Sequence, residues 1–264
     1  GQAGMAGAPA LAAAAAVAAG AGLVSAYIPK AVQPAFHHAL LEAMSIAYTV
    51  EGDDHLGPEA LPRLQEALLG KQVVVVGPGL GATPATLALL EGLLAHLPAL
   101  AEPPTLLLDA DALNLLAAHP HLLSRVPRTA ILTPHPGEMA RLVGTTTAQV
   151  QAQRLETASA WQAHCPSTVV LKGMHTLITS PGYLPAIAPV GGPGLATGGM
   201  GDVLAGVIAA WVAQGYAPHT AACLGVYQHG ATADRLTQHL GPEAVTPIGL
   251  IEALGPTLHA LLHT

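Results

Sequence analysis

The chain has little of what most proteins use for cross-links, stacking and charge. Its 264 residues include two cysteines, one phenylalanine, nine lysines and arginines together, and only 9% charged residues. Cys165 and Cys223 cannot make a disulfide framework, and a reducing cytoplasm suits them. Nine basic residues at a formal net charge of −7 provide no basic stripe to displace counterions, which argues against a nucleic-acid partner. Long leucine-rich runs are missing too. The alanine run at residues 10–19 has no basic segment before it and stops at Gly20 and Gly22. It therefore reads as a buried helix of small residues, able to pack closely on a sheet or a second subunit, and not as a signal peptide or membrane anchor. The fourteen histidines show no ligand-type spacing, and His37-His38 and His119-Pro120-His121 read as solvated surface.

What is present is apolar: 51% of the residues are hydrophobic, enough for a sizeable core in one large domain. Against this background the rare residues are informative. The single asparagine, Asn114, lies in LDADALN, and one of only three lysines, Lys172, lies in VVLKGMHT. Short apolar runs at 22–28, 45–50, 72–76, 105–108, 130–132 and 168–172 read as strands. Helical spacing marks 31–42, 61–69, 83–97, 112–118, 149–163, 220–240 and 248–262. Residues 51–58 read as a loop, and 177–179 with 184–189 as a hairpin around Ser180-Pro181-Gly182. Continuous apolar strands alternating with helices predict a doubly wound, mostly parallel sheet. Three strands in succession end in GPGLG (77–81), Asp109-Ala110-Asp111 and TPHPGE (133–138), as they would with a site along one edge of that sheet.

The most pointed stretch is GGPGLATGGMGDVLAGVIA at 191–209, where a glycine run empties into an apolar helix. Free N–H groups at a helix start, approached closely past Gly198, Gly199 and Gly201, form a cradle for an anion. Asp202 at that junction would repel the anion. It is either a base that takes a proton from a group attacking a phosphate, or a helix cap.

Taken in order, GPGLG, LDADALN, LTPHPGE, VVLKGMHT and GGPGLATGGMGDVLAG resemble the NAD(P)H-hydrate dehydratase family of the ribokinase-like superfamily. The resemblance runs nearly end to end and includes GMAGAPALAAAAAVAAGAGLV, which is similar to that family's glycine loop and first helix. It implies a three-layer α/β/α sandwich and the repair of NADHX and NADPHX, hydrated forms of the reduced nicotinamide cofactors. The ring hydroxyl would be phosphorylated by ADP or ATP, and phosphate would then leave. On this resemblance Asp202 is the base, and Ala8, Gly79 or Gly81, His135 and Asp202 touch the hydrated nicotinamide. Lys172, Gly173, Met174, His175 and Thr176 contact the adenine nucleotide, as does Gly201, while the N–H groups of Gly198, Gly199, Met200 and Gly201 hold the transferred phosphoryl. Glu138 matches the superfamily acid that organises the waters of Mg²⁺, an ion that needs few carboxylates. The resemblance also implies a cytoplasmic homotetramer.

Plainer readings stand beside these. His135 between two prolines is also a rigid turn residue, Lys172 a strand-end surface charge, and Asp109 and Asn114 helix-start and loop hydrogen-bonders rather than catalytic groups. A vitamin-alcohol kinase of the same superfamily and a nucleotide-binding protein without catalysis are the alternative functions. The chain departs from the family pattern in lacking a strand ahead of the first glycine loop, in reading Gly191-Gly192-Pro193-Gly194 where many members have GNPG, and in placing Met200 where many have Thr. The expectation is one domain over residues 1–264, lacking a first strand that belongs upstream of residue 1. Either the sequence is a piece of a longer protein, for instance one with a fused epimerase domain, or the fold tolerates the gap.

Overall fold

The computed structural model describes residue 2, residues 4–48 and residues 56–263. The chain begins with helix α1 (Gly7–Ala18), then β1 (Ser25–Pro29), α2 (Gln33–Ala39), β2 (Met44–Tyr48) and α3 (Leu61–Leu68). The strands β3 (Val73–Val76), β4 (Thr105–Leu108), β5 (Ile131–Leu132) and β6 (Thr168–Leu171) follow, separated by α4 (Pro84–His96), α5 (Asp111–Ala118), α6 (Pro136–Val143), α7 (Thr147–Ala152) and α8 (Arg154–Trp161). The order closes with β7 (Leu177–Thr179), β8 (Ala186–Ile187), α9 (Met200–Ala213), α10 (Pro218–Leu240) and α11 (Pro247–Leu262).

The main sheet runs β3-β4-β5-β6-β7-β8, parallel from β3 to β6 and antiparallel from β6 to β8. Its side chains alternate between two helical layers, as the two-residue period of a strand requires. Leu106, Leu108, Leu132 and Val169 pack with α3 to α8, whereas Leu107, Ile131 and Val170 pack with α9 to α11 and the end of α1. This is the expected three-layer sandwich with a mostly parallel sheet. Among the described residues no helix is long and apolar enough to cross a membrane.

The alanine helix is buried within the chain. Ala10, Ala12, Ala13, Ala15 and Ala16 of α1 are covered, and a side chain at Gly206 of α9 would run into the Ala12 carbonyl. Alanine facing glycine lets the two helix backbones touch, and this contact carries the first turn of α1 up to the start of α9. Leu11 of α1 packs on Gly199.

Several local expectations need correction. The strands read at 22–28 and 45–50 do not join the main sheet: β1 and β2 pair with each other in a separate two-stranded parallel sheet, sealed by Ile28, Val32, Phe36 and Leu40. Residues 49–55, which hold the end of that second strand and most of the 51–58 loop, lie outside the described residues. The helix read over 149–163 is two helices, α7 and α8, broken at Gln153 (φ −135°, ψ 51°). The break lets Arg154 turn inward, where its guanidinium donates to the carbonyls of Leu171 (2.9 Å) and Lys172 (3.3 Å). A helix missing from the sequence reading, α6, starts within TPHPGE. Its first residue is a proline and its cap is a histidine, outside the Ser/Thr/Asp/Asn group that usually signals a start.

Between β3 and β1 lies an open apolar cleft of about 260 Å³, lined by Val73 to Val76 on one side and Ser25 to Tyr27 on the other. Asp202, Lys172 and His135 are not in its walls, so it is separate from the site those residues were expected to form.

Candidate active site

Four strand ends converge at the carboxyl edge of the sheet, and each delivers one part of the site. From β4, Asp109 follows directly and is 1% exposed. From β6 comes Lys172, whose Nζ donates to Asp109 Oδ1 at 2.7 Å and lies 3.8 Å from Glu138 Oε2. Burial pulls the Lys172 pKa down, but Asp109 and Glu138 more than offset it and raise it, so the ammonium stays charged. Lys172 is thus the centre of a buried ion cluster and not a surface charge. Asp109 is its main partner, which corrects the reading of that residue as a mere helix-start hydrogen-bonder.

From β5 comes the α6 start. His135 Nδ1 accepts from the N–H groups of Gly137 (3.0 Å) and Glu138 (3.3 Å), while Glu138 Oε2 accepts from the His135 N–H at 2.7 Å. This reciprocal box fixes the tautomer, because an accepting Nδ1 leaves the proton on Nε2, 3.4 Å from Glu138 Oε1. Burial, then Lys172 and Arg141, lowers the His135 pKa, so the ring is neutral near pH 7. His135 is therefore the rigid turn residue of the plainer reading, yet its ring is half-exposed and open to a ligand. Asn114 Oδ1 accepts from Arg141 of α6 at 3.0 Å, a structural tie between α5 and α6.

From β3 comes the glycine loop. Gly77 has φ 128°, and a side chain there would run into the Asp109 carbonyl, so only glycine brings β3 and the β4 end this close. Gly79 meets Ala8 and the Met5 carbonyl, and its own carbonyl accepts from the Gln2 N–H at 2.7 Å. The Gly81 N–H donates to Asp111 Oδ2 at 2.8 Å. Ala8, Gly79 and Gly81 thus form one contiguous wall.

The glycine cradle closes the arrangement. Gly199, with φ 92°, caps α9 in a left-handed turn, and Gly198 has open space before it. A Cβ on Gly201 would stand 3.3 Å from Lys172 Nζ and 3.9 Å from Asp109 Oδ2, so the cradle abuts the ion cluster and a side chain at 201 would crowd it. Asp202 lies in the first turn of α9. The residue at the cap position is Gly199, so Asp202 stands inside the helix and not at its cap. Burial, then the negative charge of Asp109, raises its carboxyl to about 6 against the pull of Lys172. Such a group is mostly ionised at pH 7 and basic enough to accept a proton. The remaining predicted residues, Gly173, Met174, His175 and Thr176, form the exposed turn between β6 and β7. His175 has φ 53°, and the Thr176 hydroxyl donates to the Gly173 carbonyl at 3.0 Å.

The sequence profile of the NAD(P)H-hydrate dehydratase family matches residues 1–255. The chain belongs to that family. It is 41% identical to the bifunctional NAD(P)H-hydrate repair enzyme Nnr of Moorella thermoacetica over 99% of this chain and 48% of that protein. It is also 41% identical to the ADP-dependent (S)-NAD(P)H-hydrate dehydratase of Neisseria meningitidis, over 91% of this chain and 76% of that one. The chain thus spans about half the length of the bifunctional relatives it matches. Among solved structures, the ADP/ATP-dependent NAD(P)H-hydrate dehydratase of Bacillus subtilis, co-crystallised with ATP/Mg²⁺, superposes with a TM-score of 0.80 at 27% identity, covering 98% of this chain and 87% of that one. A ribokinase from Arabidopsis thaliana, at 13% identity and a TM-score of 0.58 over 92% of this chain and 86% of its own, shares the fold.

Sequence reasoning missed the groups that support the NAD(P)H-hydrate dehydratase motifs from elsewhere in the fold. Arg154 ties down the carbonyls ahead of the β6–β7 turn, Asp111 holds the glycine loop, and Asp234 accepts from the N–H groups of Gly191 (2.8 Å) and Gly192 (2.9 Å). Asp111 sits in a motif already singled out and was within reach of the sequence. Arg154 and Asp234 lie in helices where a charge ordinarily marks the solvated face.

Proposed function

We propose that this chain dehydrates (S)-NADHX or NADPHX to NADH or NADPH at the expense of ADP or ATP, with Asp202 as the base. The observation that carries the reading is the Asp202 carboxylate, raised to about 6, set beside a backbone cradle and a buried lysine. Asp202 takes the proton from the ring hydroxyl as that oxygen attacks the terminal phosphoryl of the nucleotide. The N–H groups of Gly198, Gly199 and Gly201 and the Lys172 ammonium receive the charge that develops on the phosphoryl oxygens, the Met200 N–H of the expected set being held by the Thr197 carbonyl at 3.3 Å. The ring C–O bond then breaks, phosphate departs, and loss of a ring proton restores the reduced nicotinamide. Ala8, Gly79, Gly81 and the neutral His135 line the substrate side, and Lys172 to Thr176 the nucleotide side.

Three carboxylates, Asp109, Glu138 and Asp202, surround the single ammonium of Lys172, an excess of negative charge that fits a hydrated Mg²⁺ shared with nucleotide phosphates. When bound, that ion would neutralise phosphate charge, with Glu138 holding its waters. The relatives' names, and the ATP/Mg²⁺ of the Bacillus subtilis crystals, support the nucleotide. A cytoplasmic homotetramer is part of the same reading.

The decisive experiment supplies NADHX with ADP, and separately with ATP, and follows NADH absorbance and free phosphate. Regeneration with phosphate release is expected. A stable phosphate ester would reveal a kinase instead, and neither product would overturn the reading.

The proposal also treats the chain as one domain whose sheet is completed by a strand ahead of Gly1. The cleft between β3 and β1 supports it, as does the bond from Gln2 to Gly79, which places the chain at the carboxyl end of β3 just where a parallel neighbour would finish. In the polypeptide carrying residues ahead of Gly1, the Val73 and Val75 amides, which by alternation point away from β4, should be protected from hydrogen exchange. Free exchange there would refute the strand.

A further inference from the structure

The segment that leads into the cradle, residues 190–199, has no regular structure beyond a single 3₁₀ turn, Pro193–Leu195, yet it must hold several amides in fixed directions. It rests on one face of α10. Asp234 takes the N–H groups of two consecutive residues, Gly191 and Gly192, one on each carboxylate oxygen at 2.8 and 2.9 Å. One turn earlier, a Cβ on Gly230 would stand 2.7 Å from Val190 Cγ2 and 3.0 Å from the Val190 carbonyl carbon, so the loop lies directly on the helix backbone. One turn later, Thr237 closes on Gly194, where a Cβ would meet its hydroxyl at 2.6 Å. Residues 230, 234 and 237 are spaced to share one helix face. Beside them, the buried His229 faces the backbone of Met200 at the start of α9.

We infer that this face of α10 is the mount that shapes the phosphate cradle, with Asp234 as its principal positioning residue. The physical logic is occupancy. Consecutive amides in a glycine-rich loop attract anions wherever they are free. A carboxylate fixed at Gly191 and Gly192 satisfies those two and excludes a phosphate from them. The Met200 amide is taken by the Thr197 carbonyl at 3.3 Å, but those of Gly198, Gly199 and Gly201 find no backbone acceptor among the described residues, next to Lys172 and Asp202, so a phosphate is confined to the reactive end. Asp234 touches neither substrate nor nucleotide in this arrangement and acts only through the loop.

The inference rests on the cradle reading given above. The test measures ATP affinity by calorimetry, without turnover, for the wild-type chain and for Asp234→Asn and Gly230→Ala, each below its own unfolding temperature. Asparagine offers a single acceptor oxygen and releases one of the two amides. Alanine at 230 lifts the loop while leaving the carboxylate in place. Both variants should bind ATP about tenfold more weakly, about 1.4 kcal/mol, while the Lys71→Ala control on the far side of the sheet keeps wild-type affinity. Unchanged ATP affinity in both folded variants, whatever happens to their Tm, would reduce the α10 face to scaffold and overturn the inference. If the wild-type chain bound neither ATP nor ADP, the cradle reading itself would fall, a separate result. If Asp234→Asn does not fold, Gly230→Ala decides alone.

Discussion

On one flank of the site the charged groups stand on β4, β5 and β6, whose residues are all buried except Thr105. On the other flank the glycine loop stands on β3, where all four valines are only partly buried and β4 is the one strand partner among the described residues. The first flank holds an ion pair that water could not leave intact: Lys172 and Asp109 hold 2.7 Å because both are enclosed. The second holds only backbone and small side chains, tied by Asp111 to Gly81 and by Gln2 to Gly79. Charge is thus placed where the frame is rigid, and the wall assigned to the nicotinamide is placed where it depends on neighbours at the sheet edge.

The largest effect should come where the two flanks meet. Asp202→Asn is expected to lower kcat by about 10²–10⁴-fold, the usual worth of a positioned base, while ATP affinity by calorimetry stays near wild type. Near-normal turnover would remove the centre of the site. Next, Asp109→Ala takes from the buried Lys172 ammonium its 2.7 Å partner and should cost about 3–5 kcal/mol in urea unfolding. Asp111→Ala on the glycine flank frees one amide and should cost about 1–3 kcal/mol. Equal costs would erase the distinction between the flanks. Of the same order, Val170→Ala in β6 should cost about 2–3 kcal/mol, and smaller again, Val75→Ala in β3 about 1 kcal/mol.

The smallest and sharpest is a pH limb. Asp202 works as the ionised base and its carboxyl lies at about 6, so kcat/KM should fall tenfold per unit as pH drops below that value. Because the charge of Asp109 helps to raise it, Asp109→Asn should move the limb to lower pH. A limb that stays in place would show that the two carboxylates are not coupled.

Much of the site was legible because its chemistry sits at chain landmarks. Gly77, Asp109 and Lys172 each follow an apolar run, and a residue just past a buried strand must lie at the sheet edge. The start of α6 was half legible: Glu138 three residues after His135 is the capping spacing, hidden by the unusual cap. The split at Gln153 was not, since its reason is that Arg154 reaches β6 carbonyls 17 and 18 residues away.

The sequence by itself determined the layers, the order of the motifs and the residue types at the site, because apolar periodicity and glycine placement are local properties of the chain. Only the tertiary structure decided what each group does. Lys172 and Asp109 are 63 residues apart, and Asp234 lies 42 and 43 residues from the amides it holds. Whether a charge is solvated, paired or clamping a loop depends on the surfaces that fold over it, and a linear pattern contains no record of those distances.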